Sequence, residues 1–256
     1  MTRLSVIIPA FNALPEVLRC QRTLLDTSDR ALTEVLIQDD ASSLYNGPLL
    51  FGEDVCQRNS PNLGFPGNCN AGAARAHGDV LFFVNQDVYV EREQAGWDAR
   101  LLEFFDAHPQ VGIVGVTLLF PEGNVQSVGG LFDARCQPFH EALGYRNPDW
   151  TPINTARKMS WVTGAAFAIR RGLWNMLGGF DTIYGRGYFE DVSMCVMAQL
   201  EGAEVWHLPT IRFIHEVGST GGNPNFHRNA MEFKRRYVDT KYVTPDVNTV
   251  KVGFWE

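Results

Sequence analysis

Apolar residues in this chain are gathered into short runs, and several of the runs stop at an acidic or amide residue. Leu4 to Pro9 is rich in β-branched residues and breaks on Ala10-Phe11-Asn12. Glu34 to Gln38 breaks on Asp39-Asp40-Ala41-Ser42-Ser43, and the continuous run Val80–Val84 breaks on Asn85-Gln86-Asp87. Uninterrupted apolar runs of this length, followed by turn residues, are the pattern of central strands covered on both faces by helices. Between them the spacing becomes helical. Pro15 and Glu16 suit a first turn, and Val17, Leu18, Leu24 and Leu25 form a stripe that ends at Asp26-Thr27-Ser28-Asp29. Trp97, Leu101, Phe104 and Phe105 recur at helical spacing up to His108-Pro109, as do Val192, Cys195, Val196 and Leu200 after Glu190-Asp191.

The same reading assigns the remaining segments. Val55 and Cys56 predict a short strand, and Val111 to Leu119 a longer one leading to a hairpin turn at Pro121-Glu122-Gly123-Asn124. Lys158 to Ile169 predicts a strand around Gly164, with a helix from Arg170-Arg171 to Gly178-Gly179. Glu204 to Leu208 and Ile211 to Ile214 predict two strands, and His227 to Tyr242 a last helix. Phe132 to Arg157 has no periodicity, and so long an irregular stretch in a compact domain predicts a functional loop or lid. The alternation of strands and helices predicts an α/β fold, a central sheet flanked by helices.

Composition narrows the function. With 256 residues and 45% hydrophobic content the chain can build one substantial core, and one domain is expected. Its 22 Lys and Arg against 29 Asp and Glu leave a net charge of -7, so no nucleic-acid partner is expected. Five cysteines without a C-x-x-C pair point to a reducing compartment. The N-terminus runs straight into strand-like residues, and no apolar stretch approaches roughly 18 residues. A soluble chain is expected, and peripheral attachment at the inner face of the membrane is compatible with that.

Candidate chemistry lies where the apolar runs stop. In open α/β sheets ligands bind beyond the carboxyl ends of the strands, which marks Asp87 and the pair Asp39-Asp40. Asn59 to Gly72 is a tightly turning segment in which Gly64 and Gly67 permit close backbone approach. A helix opening at Pro66 or just after it would aim its N-terminus at anions. The segment lacks both the Gly-Lys-Ser/Thr of a Walker loop and the G-x-G-x-x-G spacing of dinucleotide folds. Glu190-Asp191 open a helix, where the macrodipole alone would favour acids. Cys69 and Cys195 read as packing residues, whereas Trp161 and Tyr188 suit either a core or a sugar face.

Taken in order, these segments resemble the inverting family-2 glycosyltransferases of the GT-A, nucleotide-diphospho-sugar transferase fold, especially the rhamnosyltransferase-like branch. Ser5 to Asn12 looks like the opening strand and Gln38 to Ser42 like the base-binding turn. Asn62-Leu63-Gly64-Phe65 with Gly67, Asn68 and Asn70 looks like the Asn-x-Gly-Phe segment. Gly164 to Arg171, Gly178 to Asp181 and Glu190-Asp191 match the acceptor-side block, and His215-x-x-Gly218-Ser219 the late histidine motif. The family's Asp-x-Asp metal motif is here Asn85-Gln86-Asp87, with one carboxylate.

The resemblance implies a nucleotide-binding part at about 1–120, an acceptor-binding part at about 121–225 and a C-terminal helix at about 226–243. It implies a UDP or dTDP sugar as donor and a hydroxyl of a glycan or lipid-linked glycan as acceptor. Mg2+ or Mn2+ would sit on Asp87 with His215, neutralising the leaving diphosphate. Asp191 would be the general base, with Glu190 as the alternative. Asp39 would accept from the nucleotide base, walled by Pro9, Phe11 and Asn12. Asp40, Asn62, Gly64, Phe65, Asn70, Asn85, Gln86 and Gly164 would complete the nucleotide-sugar site. A nucleotidyltransferase would need a basic Gly-rich signature near Pro9-Ala10-Phe11-Asn12, which is missing. A non-catalytic carbohydrate-binding or scaffold protein on a degenerate GT-A fold is the other reading, and Asp191 and His215 count against it.

Overall fold

The computed structural model describes residues 2–216 and 224–246. Chain order is β1 (Leu4–Ala10), α1 (Leu14–Thr27), β2 (Thr33–Asp39), α2 (Gly47–Phe51), β3 (Cys56–Arg58), α3 (Gly64–Arg75), β4 (Val80–Val84), β5 (Val88–Tyr89) and α4 (Trp97–Ala107). There follow β6 (Val111–Leu119), β7 (Val125–Ser127), β8 (Gly130–Phe132), β9 (Pro138–His140), β10 (Arg157–Lys158) and β11 (Ala166–Arg170). The chain closes with α5 (Arg171–Leu177), α6 (Glu190–Leu200), β12 (Glu204–His215) and α7 (Phe226–Phe233).

The main sheet runs β10-β12-β6-β11-β4-β1-β2-β3, with β5 on β12 and β7 on β6. Strand β1 pairs in parallel with β2 and β4, and β12 in parallel with β6. Strand β11 lies between β4 and β6 and is antiparallel to both. This reversal brings the start of β11 to the edge where β1, β2, β4, β6 and β12 all end.

Side chains alternate along β1 and β4, so one sheet yields two cores. Val6, Ile8, Phe82 and Val84 pack with Val17, Leu24, Trp97 and Leu101 of α1 and α4. Ile7, Leu81 and Phe83 pack on the other face with Cys69, Leu173, Val192 and Phe233, from α3, α5, α6 and α7. A smaller cluster of Leu119, Val125, Val128, Ala142, Ile153 and Ile214 lies under the 125–154 excursion.

Three segments differ from the sequence reading. Lys158 to Ile169 is not one strand: Arg157–Lys158 pairs with β12, Thr163-Gly164 turns, and Ala166–Arg170 joins the sheet between β4 and β6. Glu204 to Leu208 and Ile211 to Ile214 are instead one strand. Its register against β6 shifts between Leu208 and Arg212, an irregularity that accommodates Pro209, which has no amide hydrogen for the ladder. The last helix is α-helical only to Phe233, continues as a π-helical turn over Lys234–Val238, and stops before Tyr242. Within the irregular stretch 132–157 the β8–β9 hairpin closes Phe132 onto Pro138, and Glu141 pairs with Arg157. Gly218 and Ser219, the end of the late histidine motif, lie outside the described residues.

Candidate active site

A cavity of about 960 Å³ opens along the edge where the parallel strands end and β11 begins. Pro9, Phe11, Asn62, Gly64, Phe65, Asn85, Gln86 and Gly164 all line it, with Asp40, Asp87, Glu190, Asp191 and His215. The backbone N–H of Asn85, past the end of β4, donates to Ala165 O before β11 at 3.0 Å, which joins the two halves of the rim. Gln86 reads the backbone of Phe11 in both senses, accepting from its N–H at 2.7 Å and donating to its carbonyl at 3.3 Å.

Asp39, Asn12 and Asn70 do not line the cavity. Asp39 was expected to meet the nucleotide base, but its carboxylate is fully buried and already engaged. It pairs with Arg58 at 2.9 Å and accepts from the N–H groups of Ser42 and Gly47. Asn12 has a left-handed backbone and spends its side-chain oxygen on the N–H groups of Ser43 and Leu44. Asn70 exchanges two hydrogen bonds with the backbone of Phe180 and braces α3 against the turn before α6. Asp40 does reach the cavity, yet it too organises a loop, accepting from Leu63 N–H, Gly64 N–H and Asn59 Nδ2 at 2.8–2.9 Å. Gly64 is required at its position: its φ is +73°, and a Cβ there would lie 2.2 Å from Gly185 O.

Strand β5 pairs with the end of β12, Val88 opposite His215, which sets Asp87 beside the histidine. His215 Nε2 stands 3.0 Å from Asp87 Oδ1. The other ring nitrogen faces Gln126 Oε1 at 2.5 Å, and Gln126 Nε2 donates to His215 O, which fixes which end of the amide points at the ring. Nδ1 therefore carries a proton, and Nε2 faces a carboxylate oxygen. Two acceptors at this separation need a cation or a second ring proton between them, so the pair fits a divalent ion with mixed oxygen and nitrogen ligation. Asn85 Oδ1, a further oxygen of the same cavity, is buried without a hydrogen-bond partner. Among the described residues no three His, Cys, Asp or Glu side chains cluster, so substrate or water oxygens would complete any coordination.

At the other side of the cavity α6 begins with the acidic pair. Asp191 accepts from Gly164 N–H and from Val192 N–H, each at 2.8 Å. Burial raises the Asp191 pKa from its ordinary value, against the pull of these amides. The Glu190 pKa is held well above its ordinary value, first by burial and then by the Asp191 charge, and its Oε2 is buried without a partner. Of the pair, Asp191 is the carboxyl whose charged form backbone amides support, and Glu190 the one pushed further toward its protonated form. Trp161 is buried in the cavity wall, whereas Tyr188 is exposed at the mouth.

Gln126 was not legible as a site residue. It lies 89 positions from His215 and carries no local motif; only the β6–β7 hairpin brings it there.

The family model for glycosyl transferase family 2 matches residues 5–167, more than half of the chain. The chain belongs to that family, and its fold is the GT-A fold. It is 32% identical over 162 residues to the O-antigen biosynthesis protein RfbC of Myxococcus xanthus, covering 61% of this chain and 12% of that protein. It is 28% identical over 155 residues to the N-acetylglucosaminyl-diphospho-decaprenol L-rhamnosyltransferase of Mycobacterium tuberculosis, covering 54% of this chain and 48% of the relative. The crystal structure of GalNAc-T7 with UDP, GalNAc and Mn2+ superposes with a TM-score of 0.73 at 18% identity, over 94% of this chain and 49% of that one. The chain thus spans half or less of these relatives.

Proposed function

We propose that this protein transfers a sugar from a nucleoside-diphosphate donor, of UDP or dTDP type, to a hydroxyl of a glycan or lipid-linked glycan, inverting the anomeric centre. The observation that carries the reading is the opposition, across one cavity, of an Asp87–His215 pair built to meet a cation and an Asp191 carboxylate built to take a proton. The two names printed for the bacterial relatives, an O-antigen biosynthesis protein and a rhamnosyltransferase acting on a diphospho-decaprenol glycan, support an acceptor of this class and a deoxyhexose among the donors to test.

Phe11 and Pro9 wall the nucleotide side, and Gln86 holds Phe11 in place. Asp87 and His215 would hold Mg2+ or Mn2+, which when bound neutralises charge on the diphosphate leaving group. Asp191 takes the proton of the attacking hydroxyl, its carboxylate oriented by the Gly164 and Val192 amides. Glu190 neighbours it in the first turn of α6 and should point about 100° away, so the two carboxyls do not form the nucleophile-and-acid pair of a double displacement. A single displacement inverts. Work on a lipid-linked acceptor at the cytoplasmic face, with peripheral attachment, belongs to this proposal; among the described residues no helix is long and apolar enough to cross a membrane.

The test is a panel of nucleotide sugars offered with and without Mn2+, in the presence of short glycan and diphospho-lipid acceptors, followed by NMR of the new linkage. Metal-dependent release of nucleoside diphosphate with an inverted product is expected. No turnover of any donor would favour a binding protein on a degenerate fold, and a retained configuration would remove Asp191 from its role.

A further inference from the structure

The loop from Tyr184 to Phe189 leads directly into α6, and most of its backbone is left-handed: φ is +60° at Gly185, +113° at Gly187, +69° at Tyr188 and +77° at Phe189. The two glycines adopt this freely. Tyr188 and Phe189 do not, since a Cβ in the left-handed region crowds the backbone. Phe189 is also the residue before α6, and no side chain caps that helix. Something else must therefore hold the first turn, and with it Glu190 and Asp191.

That contact comes from α7. Asn229 is 1% exposed, and its Nδ2 donates to the carbonyls of Tyr184 at 2.8 Å, Gly187 at 2.8 Å and Tyr188 at 3.3 Å. The carbonyls of Tyr184, Gly187 and Tyr188 converge on one amide, which answers all three. The helix that carries Asn229 is itself fastened to α6, because Ser193 Oγ donates to Tyr237 OH at 2.7 Å and the Phe233 ring lies 5.5 Å from that of Phe189. The clamp has a second product at the cavity mouth. Tyr188, 49% exposed, meets Phe226, 46% exposed, edge to face with ring centres 5.6 Å apart. One ring comes from the loop and the other from α7, and both border the space beside Asp191.

We propose that Asn229 is a positioning residue: it holds the strained Tyr184–Phe189 loop so that Asp191 faces the acceptor hydroxyl and Tyr188 with Phe226 stand as an aromatic platform for an acceptor sugar ring. The proposal rests on the glycosyl-transfer reading above for its catalytic meaning, but not for its structural content. Aromatic faces at a site mouth bind the apolar side of a pyranose, and their value depends on being fixed.

The experiment compares wild type, Asn229→Ala, Tyr188→Gly and the double variant by hydrogen–deuterium exchange, calorimetric binding of nucleoside diphosphate, and steady-state transfer. In Asn229→Ala the amides of 185–189 should exchange at least ~10-fold faster while those of β1 stay unchanged. Transfer should fall ~10-fold or more in kcat, with nucleotide affinity held within ~2-fold, because a small displacement of the base is felt in chemistry rather than in donor binding. Tyr188→Gly removes the steric cost of the left-handed backbone, so adding Asn229→Ala to it should cost less protection than the same change in wild type. Unchanged exchange at 185–189, or equal losses in the two backgrounds, would overturn the proposal. If Asn229→Ala proves too unstable to assay, Tyr188→Gly should raise its melting temperature, and no rise overturns the proposal as well. Should no donor be turned over at all, the proposed function fails, and the exchange cycle still decides whether Asn229 is the clamp.

Discussion

Two pairs of adjacent acids lie at ends of secondary structure in this protein, Asp39-Asp40 after β2 and Glu190-Asp191 at the start of α6. Their surroundings differ in one respect. Asp39 has a guanidinium and two backbone N–H groups, and Asp40 has two N–H groups and an asparagine amide. Every proton donor needed to hold two charges is supplied, and the pair serves to shape the loops 40–47 and 62–64. Among the described residues Asp191 accepts from two backbone N–H groups, Glu190 accepts from no other residue, and neither acid has an ion-pair partner. Such an environment raises the pKa of both acids and leaves their charge answerable to whatever enters the cavity. In sequence both pairs are two acids beside a turn, and only their surroundings tell them apart.

The comparison breaks most sharply at Asp191. Asp191→Asn should keep nucleotide binding and lower transfer by at least ~100-fold, the scale of a lost general base. Because burial raises the Asp191 pKa, the acid limb of the kcat profile should lie above that of an ordinary aspartate in the wild type and be missing from the residual activity of the variant. Full activity in Asp191→Asn would show that the two pairs had been told apart wrongly.

Arg58→Ala should act on the other pair and in the other currency. It leaves Asp39 buried with amide partners only, and stability should drop by about 2–3 kcal/mol in denaturant melts, somewhat less than for a fully enclosed ion pair because Arg58 is partly exposed. Turnover per folded molecule should stay near wild type. A variant that melted normally but lost nucleotide binding would return Asp39 to the base-binding role first expected of it.

The smallest effect belongs to Glu190→Gln. In the folded state Glu190 holds its proton above the pH at which the unfolded chain has released it, around ~4.3, so the folded state binds more protons and stability falls as pH rises through that window. Glutamine has no proton to lose. The variant should melt close to wild type near pH 4 and a few degrees higher at pH 8, with transfer reduced less than for Asp191→Asn. Identical melting at both pH values would mean that Glu190 is ionised and solvated in the native protein.

Much of this arrangement was legible beforehand because it is local. Apolar runs ended where β1, β2 and β4 end, the helix starts at Leu14 and Glu190 carried Pro and acidic signals, and Asp87 stood beyond a buried strand as expected, whereas α3 begins at Gly64, two residues before the Pro66 start expected of it. What escaped were relations across long separations. Nothing near Asp39 announces Arg58, nothing near His215 announces Gln126, and nothing near Tyr188 announces Asn229, because each partner is delivered by sheet pairing or helix packing rather than by a motif. Strand ends were misjudged for a similar reason. Gly164 and Pro209 sit inside apolar stretches, and whether each marks a turn or a bulge depends on the neighbouring strand.

The reversed strand β11 has a consequence for how distances in the site are set. Had it run with its neighbours, Gly164 would emerge at the far rim of the sheet, roughly 15 Å away for a strand of this length. Running backwards, it meets Asn85 through one peptide hydrogen bond, with Val84 opposite Ala166. The spacing between the Asp87 side of the cavity and the Asp191 side is then measured by a ladder register, a ruler with steps of roughly 3.4 Å that cannot be adjusted by degrees. Loops on either side can change length and sequence while the two sides stay at the same mark on it.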